Sequence, residues 1–144
     1  MKPQTIKNVA YWTTTILGPA SFVIGGVLNL SQSEQVAATM HHLGYPLYFA
    51  SILGAWKLLG AIATVVPGLP RVKEWAYAGF FFDLTAAAVS RAAVGDSAAD
   101  VIAPLVFLGL VLASWALRPA SRKLPTAPAA QPTAAIRVAE AVAA

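Results

Sequence analysis

The chain has no cysteine and little charge. Without thiols it forms no disulfide, holds no metal through thiolate and carries no thiol redox chemistry of its own. Charged side chains make up 11% of its 144 residues, against about 25% in a soluble domain, which makes this a membrane protein by composition. Also missing are a Ser-His-Asp set, a phosphate-binding glycine loop and any zinc spacing. His41 and His42 are adjacent, so on a helix they diverge by about 100° and do not share one metal. They read as interfacial histidines. Intramembrane histidine pairs to hold haem are absent too, so the chain supplies no cofactor or metal by itself. The net charge of +4 comes without a basic stripe or an aromatic platform, and nucleic-acid binding is not implied. No internal repeat of fixed period occurs.

What the chain does have is apolar length. Hydropathy predicts four spans, Asn8–Leu30, Leu47–Val66, Trp75–Val94 and Val101–Leu117, each near the length a helix needs to cross about 30 Å of hydrocarbon. The predicted fold class is all-α, an integral membrane four-helix bundle with a short interfacial helix between helices one and two. Pro104 falls in the first turn of the fourth span as drawn, where no internal bond is lost. The first span exceeds a signal peptide's apolar core, and LNLSQSEQ lacks a small-x-small cleavage site, so it reads as a retained helix. Lys2 and Lys7 precede span one, Arg71 and Lys73 lie between spans two and three, and Arg118, Arg122, Lys123 and Arg137 follow span four. The other two connections carry Glu34, Asp96 and Asp100 and no lysine or arginine. The positive-inside rule then puts both termini in the cytoplasm, with a bacterial cytoplasmic (inner) membrane as the expected location. Tyr11, Trp12, Trp75, Tyr77 and Trp115 fall near one boundary and Tyr45 and Tyr48 near the other, as aromatic belts do; Trp56 alone sits deep.

Between spans one and two, SQSEQVAATMHHLGYP is predicted as a short surface helix. Ser31 and Glu34 have capping-box spacing, Val36, Met40 and Leu43 form one stripe, and Gly44 with Pro46 stops it. It reads either as a lid over the outer mouth or as a segment resting on headgroups. Pro67-Gly68-Leu69-Pro70 predicts a tight turn, making spans two and three an antiparallel hairpin. Residues 1–118 form the membrane domain. Residues 119–144 form a Pro/Ala-rich cytoplasmic tail, an extended linker by composition.

Two charges lie inside the apolar runs. Lys57 and Asp83 stand about 15 and 16 Å from the outer ends of their spans, so depth permits contact across the hairpin. An ionised group there costs about 2.5–3.5 kcal/mol on insertion scales and calls for a partner or a wet cavity. At helical spacing Lys57 shares its face with Ala50, Gly54, Ala61 and Thr64, and Asp83 shares its side with Gly79, Ala86, Ala87 and Ser90. Small residues allow close helix approach in lipid, so both charges face protein. Span one adds Tyr11, Thr15, Gly18, Phe22, Gly25 and Asn29 near a single line. The ligand-binding candidates are therefore Lys57, Asp83, Ser90, Arg91, Asn29 and Tyr11, with Lys57 and Asp83 as the acid/base pair of any catalysis. Arg91, about two turns outward of Asp83, reads as a headgroup anchor or as a gate residue. The pair itself reads either as a packing salt bridge or as a working site.

The stretch from His42 to Asp96 resembles the DoxX-like family of small four-helix membrane proteins. Gly44-Tyr45-Pro46, the LGxxKLLG block at Leu53–Gly60, KEWAYAG at Lys73–Gly79 and Phe82-Asp83-Leu84-Thr85 carry the resemblance, and Pro104–Phe107 agrees with it. Over roughly residues 8–117 it implies four helices, with Lys57 and Asp83 at motif positions. Ser90-Arg91 departs from the Ser-His of many relatives. The family's namesake is a membrane subunit of a thiosulfate:quinone oxidoreductase, and the wider superfamily includes assembly chaperones and lipid-modifying or sterol-isomerising proteins. Three functions are compatible with these features. The first is an accessory subunit binding a quinone- or isoprenoid-like molecule between Lys57 and Asp83. The second is an acid/base enzyme on a lipidic substrate, of isomerase or epoxide-opening type. The third is a carrier or assembly factor, which requires a homo-oligomer or a partner membrane protein. All three have membrane lipid as a neighbour.

Overall fold

The computed structural model describes residues 3–125; the Pro/Ala-rich stretch beyond lies outside the described residues. Within them the fold is all-α, with no strand. The helices are α1 (Pro3–Leu17), α2 (Phe22–Leu30), α3 (Glu34–His42), α4 (Leu47–Val65), α5 (Pro70–Ala93) and α6 (Ala98–Leu117). Three stretches are long and apolar enough to cross a membrane: Gln4–Leu30, α4 and α6. At 24 residues α5 is longer than α4, but Asp83 and Arg91 dilute its apolar character and it is not among the three.

The first stretch is broken rather than continuous. Pro19 has no N–H to donate, and residues 19–21 tighten into a 3-10 turn between α1 and α2. The Ser21 hydroxyl and its backbone N–H both donate to the Gly18 carbonyl, at 2.7 Å and 3.1 Å, and hold the turn closed. Gly18 is required there: a Cβ would stand 2.8 Å from the Thr14 carbonyl and 3.2 Å from Leu110. The break also divides partners, because α1 packs on α6 whereas α2 packs on α4. Gly26 and Gly54 bring α2 and α4 together, since a Cβ on Gly54 would lie 2.8 Å from the Gly26 carbonyl. α5 packs against both α4 and α6. The tightest core gathers Phe22, Ala61, Tyr77, Phe80, Leu84 and Val111 where these helices meet.

Element ends differ from the expected ones for local reasons. α3 is capped by Ser33, whose Oγ accepts from the Val36 N–H, not by Ser31. Ser31 instead closes α2 and donates to the Leu28 carbonyl at 2.9 Å, so Glu34 falls in the first turn of α3 and no capping box forms. α5 begins at Pro70, whose fixed φ suits the first helical position, and takes in Arg71, Lys73 and Glu74. α6 begins at Ala98 with Ser97 as cap, which moves Pro104 beyond the first turn and removes the bond its N–H would give to the Asp100 carbonyl.

Candidate functional site

α4 and α5 run antiparallel from the Pro67–Pro70 turn, and this sets Lys57 and Asp83 face to face. Lys57 Nζ and Asp83 Oδ2 are 3.6 Å apart, with 20% and 18% of their side chains exposed. That separation is an ion pair without a direct hydrogen bond. The ammonium also lies 5.9 Å from the centroid of the Phe22 ring, at the limit of cation–π reach.

The pair forms part of the wall of a cavity of about 380 Å³ bounded by α2, α3, α4 and α5. This is within the roughly 300–1,000 Å³ of small-molecule sites. Five of the six residues selected from the sequence meet here: Asn29, Lys57, Asp83, Ser90 and Arg91. Asn29 is 9% exposed, and among the described residues its carboxamide makes no hydrogen bond to protein. From α3 the cavity receives Gln35, Val36, Thr39 and Met40, so the apolar stripe of α3 turns toward it.

Two sets of polar contacts close the rim. Tyr45 and Ser90 share a hydrogen bond of 2.7 Å. His42 Nε2 and Arg91 Nη1 both reach Asp96, at 2.6 Å and 3.0 Å, tying α3 to the turn after α5. His42, hydrogen-bonded to it, and Arg91 hold the Asp96 carboxyl below the usual carboxylate range.

Tyr11, the sixth candidate, stands apart. It is buried where α1 meets α5 and α6, beside a chain of hydroxyls in which Ser114 lies 2.7 Å from Thr15 and 2.8 Å from Tyr77. The line from Tyr11 through Thr15, Gly18 and Phe22 to Asn29 stays buried across the Pro19 turn, but at about 1.5 Å per residue its two ends are roughly 27 Å apart, so Tyr11 lies at the opposite end of the bundle from the cavity. At the same end of the molecule, Lys73 is fully buried. Its ammonium donates to the carbonyls of Ala63 at 2.6 Å, Thr64 at 3.3 Å and Val66. Burial and the guanidinium groups of Arg122 and Arg118 pull its pKa down to about 8. Arg122 Nη1 donates to the carbonyls of Thr64 and Val65, each at 3.0 Å, and reaches the Tyr11 hydroxyl at 3.4 Å. Arg118 pairs with Glu74 at 2.8 Å and lies over the Tyr77 ring.

A family model, the DoxX-like family, matches residues 13–114, from within α1 to near the end of α6. The chain belongs to the DoxX-like family. No curated protein and no solved structure matches it. The match takes in Lys57, Asp83 and every residue that borders the cavity, so this DoxX-like chain has its candidate site wholly within the shared domain. Family and apolar helices together make it a small multi-pass membrane protein.

Gln35, Thr39 and Tyr45 were not among the residues selected from sequence. The stripe of Val36 and Met40 was the available signal, since whatever shares that side of α3 also faces the bundle. Lys73 was taken as a topology charge only. The signal there was Pro67: four residues after Ala63, it leaves that carbonyl without its helical donor.

Proposed function

We propose that this DoxX-like protein crosses the membrane four times, with α5 as the fourth crossing, and binds a hydrophobic molecule with a polar head in the cavity beside Lys57 and Asp83. A quinone or an isoprenoid is the ligand class, and the protein serves as a binding or accessory subunit. The stretch from Trp75 to Val94, most of α5, has about the length of a crossing, and α5 packs against α4 and α6. Its deep charge, Asp83, is met by Lys57. α3 lies at the outer interface and roofs the cavity, with both ends of the chain on the cytoplasmic side of a bacterial inner membrane. The observation that carries this reading is the Lys57–Asp83 pair, 3.6 Å apart on the wall of a cavity that Asn29, Ser90 and Arg91 also border. In the bound state Lys57 donates to a carbonyl or anionic oxygen, Asn29 completes the polar contacts, and Asp83 positions the lysine.

Native mass spectrometry of the purified full chain is expected to detect a lipid-soluble small molecule. Lys57→Met should remove it while the helical spectrum in detergent stays the same. Retention of the same molecule by Lys57→Met would reject the site.

The pair also supports a second reading, an acid/base enzyme on a lipidic substrate, because a carboxyl and an amine 3.6 Å apart border one cavity. Asp83→Asn would then stop turnover and spare binding. Loss of binding in that variant would favour the first reading.

A further inference from the structure

A second cavity, of about 460 Å³, lies on the other side of the ion pair, between α4 and α5. Leu53, Lys57, Asp83 and Ala86 border both cavities, so the pair stands between the two. The two differ in character. The first gathers Asn29, Gln35, Thr39, Ser90 and Arg91, whereas the second is walled chiefly by Trp56, Leu59, Val72, Trp75 and Phe82. Trp56, Trp75 and Phe82 are 69%, 76% and 67% exposed, so this furrow opens outward along the bundle and is not enclosed by it. Along α5 it runs from Asp83 back to Val72, a rise of about 16 Å. That is roughly half the thickness of a hydrocarbon core, the reach of one leaflet.

We infer that the ligand is a single-tailed amphiphile that enters sideways from the bilayer between α4 and α5. Its head passes the Lys57–Asp83 pair into the polar cavity, and its hydrocarbon tail stays in the furrow, against Trp56 and Trp75. The inference rests on the head-group site proposed above and adds the tail, its direction and the entry route. At the α3 end the polar cavity is bordered by Tyr45–Ser90 and by His42 and Arg91 on Asp96, so a head entering from there would have to part these contacts. Acyl chains already solvate such a furrow, so the tail adds direction more than affinity.

Gly79 provides the test. It borders the furrow, and a Cβ added there meets nothing within 4 Å, so the side chain of Gly79→Leu starts in open space and extends into the furrow. The probe is a benzoquinone carrying a ten-carbon tail with a diazirine at its far end. It is added to the full chain in phosphatidylethanolamine/phosphatidylglycerol vesicles and photolysed, and the labelled peptides are mapped. Labelling is expected to concentrate on the α5 segment around Val72 and Trp75 and on α4 around Leu59. It should be lost in Gly79→Leu, while that variant keeps the thermal shift given by the tail-less ring. Labelling spread evenly over outward-facing positions such as Ile16 and Val106, and indifferent to Gly79→Leu, would overturn the inference and leave the head-group site standing. If neither ring shifts the melting of the native chain, the head-group site falls and the tail route with it.

Discussion

Replacing Lys73 by methionine should loosen the end of α4 more than any other loss of a single surface-side cation. Ala63 sits four residues before Pro67, so its carbonyl has no helical donor, and the helix ends before the Val66 carbonyl can find one. Lys73 supplies both, and shares Thr64 with Arg122. Methionine keeps the length and apolar stem and removes only the donor. Thr64 keeps its bond to Arg122, so two carbonyls lose their donor, at about 1–3 kcal/mol each. The expected cost is about 2–5 kcal/mol, or roughly 5–15 °C in midpoint for a chain of this size. The assay is thermal or denaturant unfolding in detergent, followed by tryptophan fluorescence, with exposed Lys123→Met as the control. The pH dependence has a definite sign. The folded-state value of about 8 lies below the ordinary 10.5, so the native protein releases this proton first as pH climbs. Its contribution to stability is constant below about pH 8 and rises between about 8 and 10.5; Lys73→Met should lack that rise. A midpoint within a degree or two of the wild type, or an unchanged pH profile, would refute the capping role.

Three further outcomes are expected. Gly54→Leu should cost about 1–3 kcal/mol through overpacking against Gly26, whereas Gly25→Ala, with open space at its Cβ, should be close to neutral in the same unfolding assay. Lys57→Met and Asp83→Asn should each destabilise by about 3 kcal/mol, and the double variant by at least about 1 kcal/mol less than their sum; strict additivity would mean that the two charges do not interact. Asp96→Asn should speed amide exchange in α3 at neutral pH without altering α4. Because the folded Asp96 pKa is depressed, its contribution is present above 3.8 and lost as pH falls below that through the folded value, so the variant and wild type should converge in acid.

The sequence is legible where one periodicity rules. Depth and small-residue faces were enough to bring Lys57 opposite Asp83, because α4 and α5 are each a single regular helix joined by a short turn. Asn29, Ser90 and Arg91 followed for the same reason. Tyr11 did not, because it lies about 27 Å along the helix from Asn29, and a shared face does not mean a shared depth. The roof was half legible: the Val36 and Met40 stripe allowed a lid over the outer mouth, but Gln35 and Thr39, which share that side of the nine-residue α3, are polar and were not selected. Lys73 escaped for a different reason. A basic residue near a membrane boundary satisfies a topology rule whether it hangs in water or folds under a helix, and only the missing donor at Pro67 distinguishes the two.

Arg122 gives the bundle an order of assembly. It arrives after α6, yet its guanidinium closes bonds on the end of α4 and on the hydroxyl of Tyr11 in α1. The earliest and middle parts of the chain therefore wait for nearly the whole polypeptide to be made before this corner is fastened. A protein released after Leu117 would hold α1 to α6 and still lack this clasp.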